Sequence, residues 1–502
     1  MKRTITVIEG DGIGPEITKA VLTIFKAAKV KLNYEYCEAG GKSFDKGITT
    51  GVPIETIESI RKNGVVLKGP LGTPLGGGGK SANVTIRKTF DMFGNVRPIF
   101  SIPNLKTPYE GRPINMVVVR ENVEDLYVGV EYMETDDVSK ALKLISKPGC
   151  QRISHLAFDV ANSYKMKRVT VATKSNILKL TEGMMKSTFE EVAKTYDGFD
   201  TSHMIIDNLA HQLVINPEQF GVVVMTNMNG DIISDLAAGL VGGLGLAASA
   251  NVGHSACMFE AVHGTAPDIA GKGIANPTAL LLSGIQMLQY LGMVDKASMI
   301  YHALMKTFSE GKKVTGDLKK LIPMAQVVNT NSFVQEIINN FPQEKIENTL
   351  NVLKITNHPF YKTYNINESE FVVNDLHQDV LGIDITYKSS NIQTMNIHKE
   401  LAWLNYKHHM MIKVISNHGE AIWEPIGQGD HINWMPNKSE SFTDVITVRI
   451  LNSTMAPSKY IDKEKIKLII NEFIDKFNVI NVQTLFEVKG KRGWTLFGGE
   501  NK

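Results

Sequence analysis

The residues best suited to chemistry stand in one run, Asn229-Gly230-Asp231-Ile232-Ile233-Ser234-Asp235, just after the apolar, strand-like stretch Gly221-Val222-Val223-Val224-Met225. A helix opening here carries Asp231 and Asp235 one turn apart on one face. Two hard carboxylate oxygens on one face suit Mg²⁺ or Mn²⁺. Such a pair by itself more often caps or solvates a helix, so the metal reading depends on what else the chain supplies.

It supplies cations at the ends of elements. The run Ser81-Ala82-Asn83-Val84-Thr85-Ile86-Arg87 reads as a helix start, with Ser81 and Asn83 polar at an N-terminal end that favours anions. Arg97 lies in Gly94-Asn95-Val96-Arg97-Pro98, and Arg120 closes the apolar strand Met116–Val119. Singly, each arginine is more often a surface ion pair. Together Arg87, Arg97 and Arg120 could clamp a substrate with several carboxylates, because a guanidinium meets a carboxylate through two bonds at once. Tyr127 and Lys174 are the candidate proton movers. Beside a dication and arginines either group's pKa can fall toward neutrality. Asp207, in Ile205-Ile206-Asp207-Asn208, is a third carboxylate for the metal. The stretch from Glu260 to Pro277 is rich in Gly and Pro and precedes a helical pattern, which suits a binding loop.

Two glycine-rich runs look like nucleotide motifs and fail. In Gly10-Asp11-Gly12-Ile13-Gly14-Pro15-Glu16 the place of the third glycine of G-x-G-x-x-G is taken by Pro15, or by Ile17 when counted from Gly12. A tight strand-to-helix turn with an early proline accounts for these residues. In Pro74-Leu75-Gly76-Gly77-Gly78-Gly79-Lys80-Ser81 a proline replaces the first glycine of a P-loop. A P-loop phosphotransferase is therefore the reading from outside the favoured class.

These residues need a frame. At 502 residues the chain exceeds one compact core, and two to four domains are expected. A net charge of +2 without long single-sign blocks argues against a dedicated nucleic-acid binder. Cys37, Cys150 and Cys257 suggest neither a disulfide framework nor zinc, which favours a reducing compartment. A strand pattern begins at Thr4 with no signal or transit segment before it, so a cytoplasmic location is expected, with the mitochondrial matrix open to a processed chain. Leu236 to Ala248 is too short for a membrane span of about 20 residues and reads as a buried, closely packed helix.

Residues 1–340 hold 34 of the 42 glycines and alternate β-type runs with helical patterns, which predicts an α/β domain with a largely parallel sheet. Strands are expected at Thr4–Ile8, Gly64–Leu67, Met116–Val119, Arg168–Ala172 and Gly221–Met225. Helices are expected at Pro15–Ala28, Ile153–Lys165, Asn176–Tyr196 and Pro277–Leu291. An Asn-rich linker at 341–364 leads to an α+β domain at 365–502. Its strands are expected at Gly382–Lys388, Met411–Ser416, Ala421–Trp423, Asp444–Leu451 and Val479–Val488, and its helices at Ile392–Tyr406 and Asp462–Phe477.

The chain resembles the β-decarboxylating dehydrogenases, the family of isocitrate, isopropylmalate and homoisocitrate dehydrogenases. The resemblance rests on Gly10 to Glu16, Arg120-Glu121-Asn122 with Tyr127, Asn229-Gly230-Asp231 with Asp235, and His263-Gly264-Thr265-Ala266-Pro267, in family order over residues 1–340. The C-terminal domain more weakly resembles the extension of a longer isocitrate dehydrogenase subgroup.

The resemblance implies a fold without a Rossmann motif. It places a large cofactor-binding domain at 1–98 and 250–340, and a small domain with metal site and dimer interface at 99–249. It also implies a homodimer or larger homo-oligomer with a shared active site, in which Lys174 and Asp207 come from the neighbouring protomer. Cofactor contacts are implied at Thr73, His263, Gly264, Thr265, Ala266, Pro267, Asp268, Ile269 and Asn276. Ser81 and Asn83 stand where isopropylmalate would need an apolar pocket, so isocitrate is the expected substrate. Asp268-Ile269 replaces the Lys-Tyr pair of NADP-using relatives, which implies NAD. The expected reaction is metal-dependent oxidative decarboxylation of isocitrate with NAD. Use of NADP, or of another 2-hydroxy acid, is the alternative.

Overall fold

Short β-branched runs between amphipathic helical patterns should build a sheet covered on both faces. The computed structural model describes residues 2–72, 81–344, 380–389, 400–417, 420–423, 445–452, 458–488 and 491–495. The chain divides into two compact units, Met1–Gly129 with Lys143–Asn365, and Val130–Leu142 with Ile366–Lys502.

The first unit holds strands β1 (Arg3–Ile8), β2 (Leu32–Cys37), β3 (Val65–Lys68), β4 (Gly94–Phe100) and β5 (Asn115–Glu121). β6 (Glu131–Met133) and β7 (Ser139–Ala141) form a hairpin in the second unit. β8 (Arg168–Thr173), β9 (Asp200–Ile205), β10 (Val222–Met225), β11 (Ala248–Val252) and β12 (Cys257–Ala261) complete the first unit's ten-stranded sheet, ordered β2-β1-β3-β12-β11-β4-β5-β10-β8-β9. Val65, Val66, Leu67 and Val222, Val223, Val224 are wholly buried, as strands covered on both faces require.

Both flanks of this sheet are parallel. Its middle, β12-β11-β4-β5, is antiparallel, which the expectation of a largely parallel sheet missed. The reason is local. Only residues 253–256 join β11 to β12, far too few for the crossover that a parallel pair needs.

Among the described residues, eleven helices follow the same order in this unit: α1 (Gly14–Ala27), α2 (Gly41–Asp45), α3 (Ile54–Asn63), α4 (Ala82–Thr89), α5 (Lys147–Ser163), α6 (Thr181–Ala193), α7 (Ile206–Ile215), α8 (Asn227–Leu240), α9 (Thr278–Tyr290), α10 (Val294–Glu310) and α11 (Thr330–Asn339). α5 starts earlier than its apolar period suggests, because Ser146 caps it through Gly149 N–H at 3.0 Å. α6 starts later, at Thr181.

Of the helix expected over Leu236 to Ala248, only Leu236–Leu240 forms, as the end of α8. α8 ends at Leu240, and Gly242 and Gly243 take φ of 123° and 111°. A 3-10 turn at Leu244–Leu246 then leads into β11. Gly242 and Gly243, inside the run expected to be one helix, are the residues that stop it. Among the described residues no helix is long and apolar enough to cross a membrane.

The second unit is an α+β body. Its antiparallel sheet contains Val380–Lys388, Met410–Asn417, Glu420–Trp423, Val445–Asn452, Asn478–Val488 and Lys491–Arg492. Helices Trp403–His408 and Lys463–Lys476 accompany it, and Ile383, Ile385, Val448, Ile450 and Phe473 fill its core. Of the helix expected at Ile392–Tyr406, residues 392–399 lie outside the described residues, as do 345–364 of the expected linker and Asp444.

Candidate active site

β4 and β5 pair antiparallel with Asn95 opposite Arg120, which brings their arginines together at one end of the sheet. Arg97 donates from Nε to Asn95 Oδ1 (2.7 Å), and from Nη1 to Ser234 Oγ (2.6 Å) and Asp235 Oδ1 (3.0 Å). Its Nη2 lies 3.5 Å from Asp231 Oδ1. Arg120 is 1% exposed. It donates from Nε and Nη2 to Asn227 Oδ1 at 3.0 and 2.8 Å, and from Nη1 to Asp231. Tyr127, in a 3-10 turn after β5, donates its hydroxyl to Asp231 Oδ2 at 2.5 Å. The Arg120 guanidinium stands 5.0 Å from the centre of its ring.

α8 thus presents Asp231 and Asp235 to the arginines on one face, as their spacing predicts. Gly230 allows the approach. A Cβ there would meet Arg120 Cγ at 2.5 Å and Cβ at 2.7 Å. Gly230→Ala is expected to push α8 from β5 and to lower stability by about 1–3 kcal/mol, read from chemical denaturation. A variant as stable as the parent would mean that the helix can yield at no cost.

Arg87, on α4, donates from Nη2 to Glu260 Oε1 at 2.8 Å. Glu260, at the end of β12, also receives Asn251 Nδ2 at 2.7 Å and pairs with Lys68 at 2.7 Å. Sequence reasoning missed Lys68, Glu260 and Asn227. Lys68 and Glu260 end strands with no motif of their own, and only the pairing of β3 with β12 unites them.

Burial, then the nearby Arg97 and Arg87, pushes Arg120 down to about 10. Such crowding of cations is relieved by an anion. Burial raises the carboxyl of Asp231, but Arg120, the Tyr127 hydroxyl and Arg97 outweigh it and hold the group below its usual range. Burial wins at Asp235, which is held above its usual range. Burial and the bond to Asp231 raise the Tyr127 hydroxyl above its usual range, and Arg120 pulls it down less strongly.

Lys174 and Asp207 stand apart from this cluster. Lys174 Nζ donates to Asp207 Oδ1 at 2.6 Å, on the first turn of α7, and Asp207 is exposed. Among the described residues no three potential metal-ligating side chains gather, so one chain does not unite Asp207 with Asp231 and Asp235. The two carboxylates of α8 still fit Mg²⁺ or Mn²⁺, ions that take one or two carboxylates and leave the remaining positions to substrate and water.

Among the described residues, Asn83 Oδ1, Arg87 Nε and His263 Nε2 are buried without partners. All three residues line one cavity of about 120 Å³, with Lys68, Arg97 and Glu260. His263 Nδ1 donates to its neighbour's carbonyl, Gly264 O, at 2.9 Å, so its Nε2 is a bare acceptor. Burial lowers the His263 pKa and keeps the ring neutral. Ser81 occupies the N-cap of α4.

The loop beyond His263 is held from three sides. Thr265 O accepts Ile13 N–H at 2.9 Å. Gly12, at φ of 57°, leaves room for Thr265, whose carbonyl a Cβ would meet at 2.0 Å. Glu16 accepts Gly273 N–H, Ala275 N–H and the Thr330 hydroxyl. The Gly10 to Glu16 run therefore acts as a seat for this loop. Ala266 takes φ of 41°, ahead of the 3-10 turn Pro267–Ile269. Asn276 binds Asp317 at 2.9 Å and Thr278 N–H at 3.0 Å. Thr73 and most of the P-loop-like run, Pro74 to Lys80, lie outside the described residues.

A family model described as isocitrate/isopropylmalate dehydrogenase matches residues 4–337. Isocitrate dehydrogenase [NADP] of Thermus thermophilus is 43% identical, over 100% of this chain and 96% of its own length. A crystal structure of the TT0538 protein from Thermus thermophilus is 42% identical and superposes with a TM-score of 0.86, covering 100% of this chain and 97% of the other. A mitochondrial regulatory subunit of isocitrate dehydrogenase [NAD] from Dictyostelium discoideum is 46% identical but matches only 62% of this chain and 86% of its own length.

The expectation of NAD is thereby corrected, both for the reaction and for the cofactor. Relatives that match the whole chain are named for NADP, and relatives named for NAD match a part of it. The inference from Asp268 failed for a physical reason. Its side chain is exposed, and no hydrogen bond or ion pair among the described residues fixes its carboxylate. An unanchored aspartate can turn away from a phosphate, so one residue type at one position does not decide the cofactor.

Proposed function

The chain belongs to the isocitrate/isopropylmalate dehydrogenase family, and from that premise we propose that it oxidatively decarboxylates isocitrate to 2-oxoglutarate and CO₂ with reduction of NADP⁺. One observation carries the substrate reading: the unpartnered buried atoms of Asn83 and Arg87 belong to residues that line one cavity with the guanidinium of Arg97. An alkyl group there would leave them unsatisfied, whereas a further carboxylate meets the Arg87 donor, and the Asn83 amide can turn its NH₂ toward it. The whole-chain relative named for NADP supports the cofactor, and Lys272 is an exposed cation on the same loop as Asp268.

In this reading Arg87, Arg97 and Arg120 hold carboxylates, while Ser81 and Asn83 read the one that distinguishes isocitrate. Asp231 and Asp235 hold Mg²⁺ or Mn²⁺, with Asp207 contributed by the partner of a homodimer. When bound, the dication acts as a Lewis acid on the substrate hydroxyl and carboxylate, and NADP⁺ accepts the hydride. Lys174, brought by the partner, takes the hydroxyl proton. Tyr127 keeps its own proton through neutral pH and delivers it to the carbon that CO₂ leaves. The exposure of the Lys174–Asp207 pair suits completion of a site on a second protomer. His263 Nε2 and the loop to Asn276 receive the cofactor. The lobes 1–98 with 250–340, and 99–249, divide cofactor binding from metal binding.

The test is the reduced-nicotinamide absorbance of purified protein with Mg²⁺, NADP⁺ or NAD⁺, and isocitrate or isopropylmalate. Isocitrate with NADP⁺ is expected to exceed isopropylmalate by about a hundredfold or more in kcat/KM, and a chelator should abolish turnover. Equal or greater use of isopropylmalate would refute the substrate reading.

A further inference from the structure

One buried carboxylate outside the arginine cluster touches both the Lys174 segment and the start of α8. Glu182, the second residue of α6, is 1% exposed. Its Oε2 accepts the Lys174 backbone N–H at 2.9 Å and Asn229 Nδ2 at 3.2 Å. Its Oε1 accepts the Thr226 hydroxyl at 3.0 Å and pairs with Lys143 Nζ at 2.9 Å. Lys143 in turn pairs with Asp125, which is wholly buried. Asp125 accepts Leu126 N–H at 2.8 Å and Met228 N–H at 3.0 Å.

We propose that Glu182, with Lys143 and Asp125, is a positioning device. It fixes the backbone of Lys174, which serves the partner's site, relative to the first turn of α8 and the turn bearing Tyr127, which serve this chain's own site. The inference rests on the reading under Proposed function, and none of the three residues touches substrate in it. The chemistry favours a rigid joint. Four donors fill the lone-pair sites of one carboxylate, and an acid–base–acid chain whose two acids are buried and whose every member is paired has one low-energy arrangement. Thr226 is informative here. It precedes α8 as N-cap, yet its hydroxyl makes no capping bond and goes to Glu182 instead. Catalytic groups displaced by about 1 Å lose about a hundredfold in rate, while the arginines that bind substrate take no bond from Glu182.

The test is steady-state kinetics on Glu182→Gln and Thr226→Val in the full-length protein, with thermal melting alongside. Glu182→Gln is expected to lower kcat by about ten- to a hundredfold, with KM for isocitrate changed by less than about threefold. Thr226→Val, which removes one bond and no charge, is expected to lower kcat by about three- to tenfold and to stay folded. A merely structural glutamate would lower the melting temperature and leave kcat per folded enzyme unchanged, and that result in Thr226→Val overturns the proposal even where Glu182→Gln does not fold. Wild-type protein inactive on isocitrate overturns the functional reading and this inference with it. Active wild type with wild-type kcat in both variants overturns this inference alone.

Discussion

Asp231→Asn is expected to lower kcat/KM for isocitrate by about three orders of magnitude, or about 4 kcal/mol of transition-state stabilisation. The carboxylate does three things at once. It accepts Arg120 and the Tyr127 hydroxyl, and it faces Arg97 at 3.5 Å. It also supplies one of the two hard oxygens on α8. The amide keeps the shape but loses the charge, so the dication binds more weakly. Arg120, already pushed down to about 10 by burial and its cationic neighbours, is left without its counter-charge. Removing one partner of a buried pair commonly destabilises by about 3–5 kcal/mol, and the half-exposed position of Asp231 places this case at or below the lower end. The measurement is kcat/KM together with the melting temperature with and without isocitrate. Saturating isocitrate should recover part of the lost stability, because its carboxylates replace the missing anion. A kcat/KM within threefold of wild type would remove Asp231 from the site.

Tyr127→Phe is expected to lower kcat by about a hundred- to ten-thousandfold, with KM for isocitrate nearly unchanged. The ring stays beneath Arg120 and only the hydroxyl is lost, so the arginine cluster keeps its geometry. Burial and the Asp231 carboxylate hold this hydroxyl above the usual tyrosine range, so it carries its proton across the working pH and can donate it. Oxidation without timely reprotonation of the product carbon should then limit turnover. An unchanged kcat would assign the proton to another donor.

Most of what the sequence made legible was local. The i, i+4 spacing of Asp231 and Asp235 on α8 follows from periodicity alone, and the structure places Arg87 on α4, Arg97 inside β4 and Arg120 near the end of β5, close to those carboxylates. What stayed hidden depended on pairing at a distance. Lys68 meets Glu260 only because β3 lies beside β12, and Glu182 gathers Lys174, Thr226 and Asn229 across α6 and α8. The apolar run Leu236 to Ala248 misled because composition does not reveal that two adjacent glycines take positive φ. The cofactor inference from Asp268 misled because a residue type carries no information about whether its carboxylate is anchored.

The central claim is that the arginine cage and the α8 carboxylates orient isocitrate for oxidation and loss of its β-carboxylate on NADP⁺. Isocitrate isotopically labelled at that carboxylate, incubated with the protein, Mg²⁺ and limiting NADP⁺, tests it most directly. The account predicts labelled CO₂ released in equal amount to the NADPH formed. NADPH formed without labelled CO₂, or neither product from folded protein, would contradict it.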